Sequence, residues 1–156
     1  MNAFFRNRIL QPLLQQLKSG VTPEKLATSV AIGAVVGTFP VLGSTTVVGL
    51  ACGFAFRLNH LAVQLALNLT YPLQLLLLIP LLALGGKLLH APVPGSLDAL
   101  QLQFKTGIWA TLQTFAQATA GAIVIWLLVA VPLMLLLRIA LRPVLSRLMA
   151  RGVEPN

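Results

Sequence analysis

Two long stretches without Asp, Glu, Lys or Arg constrain this fold more than any other feature. The first runs from Leu26 to Phe56 and the second from Leu58 to Gly86, about 31 and about 29 residues. One bilayer crossing takes roughly 20 apolar residues. The chain has 156 residues, of which 57% are hydrophobic and 9% charged, and its mean hydropathy is +0.88. A soluble domain carries roughly a quarter charged residues, so the sequence predicts an all-α integral membrane protein.

The first uncharged stretch is too long for one straight crossing and contains a bend. A helix is predicted to begin at Thr22–Glu24, where a capping hydroxyl precedes a proline in the first helical position. Pro40 and Gly43 then break the helix, and a hydroxyl of Ser44–Thr45 can cap a second one. Each limb is roughly 21 to 25 Å long, shorter than a hydrocarbon core of about 30 Å. We expect a re-entrant or short helical hairpin over about residues 23–56.

Small residues recur every fourth position on both limbs of this hairpin. They are Ser29, Gly33 and Gly37 before the turn, and Thr45, Gly49 and Gly53 after it. Small residues let helix backbones approach closely in lipid, so we expect the two limbs to pack against each other. The same glycines also suit contact with a second copy of the chain, and the sequence does not decide between the two.

The second uncharged stretch is also interrupted. Asn68–Pro72 places polar residues and a proline near its middle, which predicts a broken membrane helix over about residues 58–86. Ser96 caps a further helix that bears Lys105 and Trp109 at the membrane interface. We expect this helix to turn into a transmembrane helix over about residues 110–137.

Basic residues at both ends of the chain determine the expected topology. Residues 1–19 predict an amphipathic helix on the membrane surface or packed on the rest of the domain, and residues 138–156 predict a basic amphipathic tail. Residues 20–137 between them form a single membrane domain. The positive-inside rule then favours an even number of crossings with both termini in the cytoplasm. The net charge of +8 does not indicate nucleic acid, because the cations lie between apolar segments and form no continuous face.

The sequence contains few side chains that could take part in catalysis. The acids and the other reactive groups are distant in the sequence, namely Glu24, Asp98, Glu154, His60, His90 and Cys52. Their spacing matches no metal site, nucleophile motif or phosphate loop. We therefore predict no enzyme activity, no metal and no cofactor.

The two helix breaks are the best candidates for a binding site. Each is expected to expose a half-helix N-terminus, at Ser44–Thr46 and at Tyr71–Pro72, where free amides and the helix dipole favour an anion. The hypothetical anion site comprises Ser44, Thr45, Thr46, Arg57, Asn59, Asn68 and Thr70, with Arg57 as countercharge. The alternative is that Pro40, Gly43 and Pro72 only turn the chain, while Asn68 and Thr70 satisfy backbone groups freed by the breaks.

Several motifs resemble one bacterial membrane family. They are Thr22–Ala27, Gly33–Pro40, Gly43, Arg57–Asn59 and Asn68–Pro72. Together they resemble the family catalogued as domain of unknown function 2062, over roughly Gly20 to Leu89. The resemblance implies a protein of the bacterial inner membrane, with Pro40, Gly43, Arg57, Asn59, Asn68 and Pro72 as its motif residues.

Two functional hypotheses follow from these patterns. The first is a small carrier or lipid-handling protein that binds an anionic headgroup or solute at the helix breaks. The second is a non-catalytic membrane scaffold or assembly subunit, whose glycine stripes are packing surfaces. Membrane lipids are the expected partners. A second copy of the chain or another membrane protein is a further possible partner.

Overall fold

A computed structural model describes residues 21–91, 93–94 and 96–152, and over these residues the chain is helical with no strand. The helices are α1 (Pro23–Val36), α2 (Thr45–Ala55), α3 (His60–Leu88), α4 (Leu97–Thr106) and α5 (Ile108–Gly152). The predicted all-α class is confirmed. The surface helix predicted over residues 1–19 lies outside the described residues, as do residues 153–156 of the predicted tail.

α1 begins where the sequence predicts. The Thr22 hydroxyl accepts a hydrogen bond from the backbone N–H of Lys25 at 3.3 Å, and Pro23 is the first helical residue. Glu24 places its negative charge in the first turn, beside the positive end of the helix dipole. These local interactions stabilise the start of α1.

The turn between α1 and α2 occupies residues 37–44 and is called the tip below. Gly43 adopts a φ of 81°, a conformation that glycine takes without steric cost. Ser44 departs from the prediction, because its hydroxyl donates to the carbonyl of Val41 at 2.9 Å and makes no capping bond to α2. The two short helices are 14 and 11 residues long, which corresponds to about 21 and about 17 Å.

The predicted break at Asn68–Pro72 is wrong, because α3 is one helix of 29 residues that contains both Pro72 and Pro80. A proline removes one backbone N–H and crowds the carbonyl four residues earlier, but the helix continues on both sides of Pro72 and Pro80. The Thr70 hydroxyl also donates to the carbonyls of Ala66 and Leu67, each at 3.1 Å. Tyr71–Pro72 therefore presents no half-helix N-terminus.

Both small-residue stripes contact α3, and the expectation that they meet each other is wrong. An added Cβ on Gly33 would lie 2.9 Å from Val63 Cα, and one on Gly49 would lie 2.8 Å from Leu67 Cδ1. The remaining contacts continue this order, with Gly37 against Leu67 and Thr70, and Gly53 against His60. α1 therefore runs parallel to α3 and α2 antiparallel to it, so that α3 forms the common support of the hairpin.

The end of the hairpin opposite the tip is called the base. Here Leu26 and Ala27 of α1 pack with Ala62 of α3 and Leu145 of α5, all at most 5% exposed. This cluster holds the ends of three helices together. It places the start of α1 beside the start of α3 and the later part of α5.

Beyond the tip, α3 continues with α5 alone. The two helices cross at Gly85 and Gly121, where a Cβ on Gly121 would lie 2.8 Å from both Gly85 Cα and Gly85 C. Such backbone contact requires glycine at the crossing.

α4 precedes α5 as a separate helix. Ser96 caps α4 as predicted, accepting from the backbone N–H of Ala99 at 3.2 Å. The interfacial helix was expected to run into the span, but Gly107, with a φ of 156°, separates the two. α5 then continues without interruption past Leu137 to Gly152, and its division into a span and a surface tail stays a prediction.

Within the described part of the chain, two helices are long and apolar enough to cross a membrane, over His60–Leu88 and Ile108–Arg147. Only 17% of the apolar window in each is buried inside the protein. A helix in the core of a soluble protein would be mostly buried, whereas apolar residues that face outward suit lipid. The exposed apolar surfaces thus support a membrane protein.

The glycine contacts generate a test that compares two substitutions. Gly121→Ala brings a methyl group against the Gly85 backbone, which cannot move aside, and should destabilise the protein by about 1–3 kcal/mol. Gly49→Ala meets only the mobile end of Leu67, and alanine is favoured over glycine in helices by up to ~1 kcal/mol, so its effect should be near zero. Thermal unfolding in detergent, followed by circular dichroism, measures both; equal losses in the two variants would contradict this packing.

Candidate functional site

The predicted anion-site residues fall into two groups at opposite ends of the hairpin. The first group lies where the tip meets α2. It comprises the half-buried Ser44, the buried Thr45 and the exposed Thr46. Arg57 follows the far end of α2 and is exposed. The 11 residues of α2 separate the two groups by about 17 Å. The structure therefore does not bring Arg57 to the tip as a countercharge.

Asn59 lies at the base and connects α1 to α3. Its side-chain oxygen accepts from the backbone N–H of Ala62 at 2.9 Å and caps α3. Its own backbone N–H donates to the hydroxyl of Ser29 at 2.9 Å, and that hydroxyl donates to the carbonyl of Lys25 at 2.7 Å. Ser29 is fully buried, so these bonds supply polar partners inside an apolar contact.

Two predicted residues of α3 lie near the level of the tip, but they face different surroundings. Thr70 is half-buried against Gly37, while Asn68 is exposed. Since the helix is continuous here, Asn68 and Thr70 do not flank an opening. The two polar breaks of the sequence analysis reduce to the single turn between α1 and α2.

Gln74 of α3 holds the tip. It is not among the site residues that the sequence predicts. Its side-chain N–H donates to the carbonyl of Phe39 at 2.7 Å, and only 1% of its surface is exposed. Among the described residues, no partner bonds its side-chain oxygen. A signal was available, because Gln74 is four residues after Thr70 on the α3 face that contacts the hairpin.

Trp126 of α5 contacts the tip from the other side and was also missed as a site residue. Its indole N–H donates to the Thr38 hydroxyl at 3.1 Å, and that hydroxyl donates to the carbonyl of Val35 at 2.8 Å. The Trp126 and Phe39 rings pack edge to face, with centroids 5.0 Å apart. The tip is therefore bound to both long helices.

An open groove of about 730 Å³ lies between the hairpin and α5. Its wall on α5 is formed by Trp126, Leu127, Ala130, Val131, Met134 and Arg138. Its wall on the hairpin side is formed by Thr28, Ile32, Val35, Val36, Phe39, Val48, Cys52, Phe56 and Leu58. The groove thus runs from the base to the tip along mainly apolar side chains.

Among the described residues that line the groove, Arg138 alone carries a formal charge, and it lies at the base end. Arg138 lies 3.0 Å from the carboxylate of Glu24 and is 42% exposed, while Glu24 is 51% exposed. Thr28, also in the groove wall, donates its hydroxyl to the carbonyl of Glu24 at 2.9 Å. A guanidinium has five N–H donors, so Arg138 keeps donors for a second anion while it bonds Glu24.

The described residues offer the groove no catalytic constellation. No three His, Cys, Asp or Glu side chains in the described part of the chain are grouped so as to hold a metal ion. Cys52 is the one thiol in the groove wall. What the arrangement can do chemically is to pack an apolar chain and to bind an anion at Arg138.

Over the described residues, two apolar helices of membrane-spanning length and a short hairpin packed on them support a small helical membrane protein. The chain belongs to the family described as an uncharacterized protein conserved in bacteria (DUF2062), whose model matches residues 3–149. The resemblance seen in the motifs is confirmed, and it extends well beyond residues 20–89. No curated protein and no solved structure matches the chain.

The two motif asparagines allow a matched comparison. Asn59→Ala removes the cap of α3 and should destabilise the protein by about 1 kcal/mol. Asn68→Ala changes an exposed side chain and should leave stability within about 0.5 kcal/mol of the parent protein. Thermal unfolding in the same detergent compares the two. A larger loss for Asn68→Ala than for Asn59→Ala would contradict the roles assigned here.

Proposed function

We propose that the protein is a non-catalytic phospholipid-binding protein of the bacterial inner membrane, which holds one lipid chain in the groove and the lipid phosphate at Arg138. The observation that carries this proposal is an apolar groove with one formal charge, at its base end. The proposal keeps the lipid-handling function predicted from sequence. It moves the site from the helix breaks to the groove, and the cation from Arg57 to Arg138.

The depth of the hairpin supports a site within one leaflet. The tip bonds Gln74, which lies 14 residues along the 29-residue α3, or about 21 Å along a helix of about 44 Å. If α3 spans the bilayer, the hairpin enters from one side and turns near the middle. We therefore favour the re-entrant form of the hairpin over a pair of short crossings.

The distribution of charge indicates which leaflet this is. Among the described residues, the base end and the helix beyond it carry six cations and the acid Glu24; the cations are Lys25, Arg57, Arg138, Arg142, Arg147 and Arg151. The opposite end of the long helices carries Lys87, Lys105 and the acid Asp98. By the positive-inside rule this asymmetry favours a cytoplasmic base, as predicted for both chain termini, and with it a groove that opens into the cytoplasmic leaflet.

The chain of the lipid and its phosphate contribute differently to binding. Moving an acyl chain from lipid into an apolar groove gains little hydrophobic energy, because both surroundings are apolar. Preference for a lipid in the groove over the same lipid in the bilayer must therefore come from packing and from the charge-assisted bond between its phosphate and Arg138. Glu24 competes for the same guanidinium, so it opposes the binding of an anion.

The scaffold alternative is less well supported, because the surfaces on which it depended are already used. Gly33, Gly37, Gly49 and Gly53 are all buried within the chain against α3. A partner subunit or a second copy cannot contact these stripes without displacing α3. No other described feature of the chain favours that function.

Three substitutions at matched charged positions test the proposal. Arg138→Gln should weaken binding of phosphatidylglycerol about tenfold or more, since a hydrogen bond to a charged group contributes about 1.5–3 kcal/mol. Arg142→Gln, one turn further along the same helix and outside the groove wall, should bind as the parent protein does. Glu24→Gln should bind at least as strongly, because Arg138 loses its competing partner.

Native mass spectrometry of the purified protein, titrated with the lipid, measures all three. Circular dichroism of each variant establishes that the fold is intact, which is expected because an exposed ion pair contributes only about 0–1 kcal/mol. Equal binding by Arg138→Gln and Arg142→Gln would overturn the assignment of the phosphate to Arg138.

A further inference from the structure

The tip end of the groove is closed by an aromatic pair. Phe39 and Trp126 both line the groove and pack edge to face at 5.0 Å. The hydrogen bond from Trp126 to Thr38 fixes the indole, since Thr38 is 93% buried and itself bonds to Val35. An indole held by packing and by a hydrogen bond is a rigid wall and does not swing aside like a free side chain.

The charged and aromatic ends of the groove are a fixed distance apart. Arg138 and Trp126 lie on the same uninterrupted helix, 12 residues from each other, which is about 18 Å. A lipid whose phosphate bonds Arg138 therefore has a limited length of groove for its chain. Beyond the aromatic pair the hairpin ends, and α3 and α5 alone continue.

We propose that Trp126 determines the length of the lipid chain that the groove accepts, an inference that rests on the lipid-binding function proposed above. A chain that ends at the indole packs along the whole wall. A longer chain must bend out of the groove into the bilayer and loses part of that contact. The groove therefore discriminates among phospholipids with the same headgroup by the length of one acyl chain.

The size of the effect follows from the shape of the site. A closed hydrophobic pocket discriminates by about 10–200-fold for one methylene, but this groove is open along its side, so an excluded segment can rest in lipid. We expect about a tenfold preference or less between a chain that fits and a chain that extends past Trp126.

The experiment is a competition measured by native mass spectrometry. The purified protein is mixed with phosphatidylglycerols of short, medium and long chains in equal amounts, and the bound species are ranked. The parent protein should prefer one chain length, and Trp126→Ala should shift that preference to longer chains by removing the wall. Trp126→Phe retains an aromatic ring but loses the hydrogen bond to Thr38, so it should shift the preference in the same direction as Trp126→Ala and by less.

The chain provides its own control in its other tryptophan. Trp109 is 85% exposed at the start of α5 and lies outside the groove wall, so Trp109→Ala should rank the lipids as the parent protein does. Phe39→Ala opens the same end from the hairpin side and should shift the preference in the same direction as Trp126→Ala. This second variant keeps the test decisive if Trp126→Ala does not fold.

The failure of this inference is distinguishable from the failure of the proposed function. A parent protein that binds lipid with no chain-length preference, or a ranking unchanged in Trp126→Ala and Phe39→Ala, overturns the role of Trp126 and leaves the Arg138 site standing. A parent protein that binds no more lipid than Arg138→Gln overturns both.

Discussion

The hydrogen bond from the Gln74 side chain to the carbonyl of Phe39 holds the tip of the hairpin against the middle of α3. A chain that turns at membrane depth has backbone groups that no water can satisfy, and each needs a partner within the protein. Gln74 supplies one such partner from α3, and Trp126 ties the neighbouring Thr38 to α5. Together these two contacts fasten the tip to both long helices and define the end of the groove beside it.

The groove is a consequence of how the hairpin is supported. Glycines on both limbs draw α1 and α2 onto the same helix, α3. α5 meets α3 closely at a separate crossing, at Gly85 and Gly121, beyond the tip. Between the tip and the base, α5 approaches the hairpin through larger side chains and leaves a space that extends from Trp126 to Arg138. The small residues thus form contacts inside the protein, while the apolar groove stays open.

The features that the sequence predicted correctly are those set by neighbouring residues. Thr22 and Ser96 cap helices through bonds to residues three positions away, and Gly43 permits the turn by its own backbone freedom. The misjudged features depend on distant partners. Pro72 looks like a break in isolation, but one missing N–H does not end a helix that the hairpin holds as far as Gln74 and α5 holds beyond it.

In the candidate site, too, the contacts that the sequence did not predict are those between distant residues. Arg57 is the countercharge that the sequence predicts if the hairpin folds back, yet α2 carries it to the opposite end of the hairpin. Arg138 reaches the groove only through the packing of α5 against α1, 114 residues from its partner Glu24. Gln74 was overlooked because its hydrogen-bond acceptor is 35 residues away. The spacing from Thr70 places Gln74 on the α3 face that contacts the hairpin, but no local pattern identifies the partner of Gln74 or of Arg138, so both contacts appear only once the helices are assembled.

The most direct test of a lipid in this groove is photo-crosslinking with a phospholipid that carries a diazirine near the end of its acyl chain. The protein is reconstituted with this lipid, irradiated, digested and analysed by mass spectrometry. The account predicts crosslinks concentrated near Phe39 and Trp126, with a marked decrease in Arg138→Gln. Crosslinks spread evenly over the outward apolar surface of α5, as at Leu128 and Leu136, and unaffected by Arg138→Gln would contradict it.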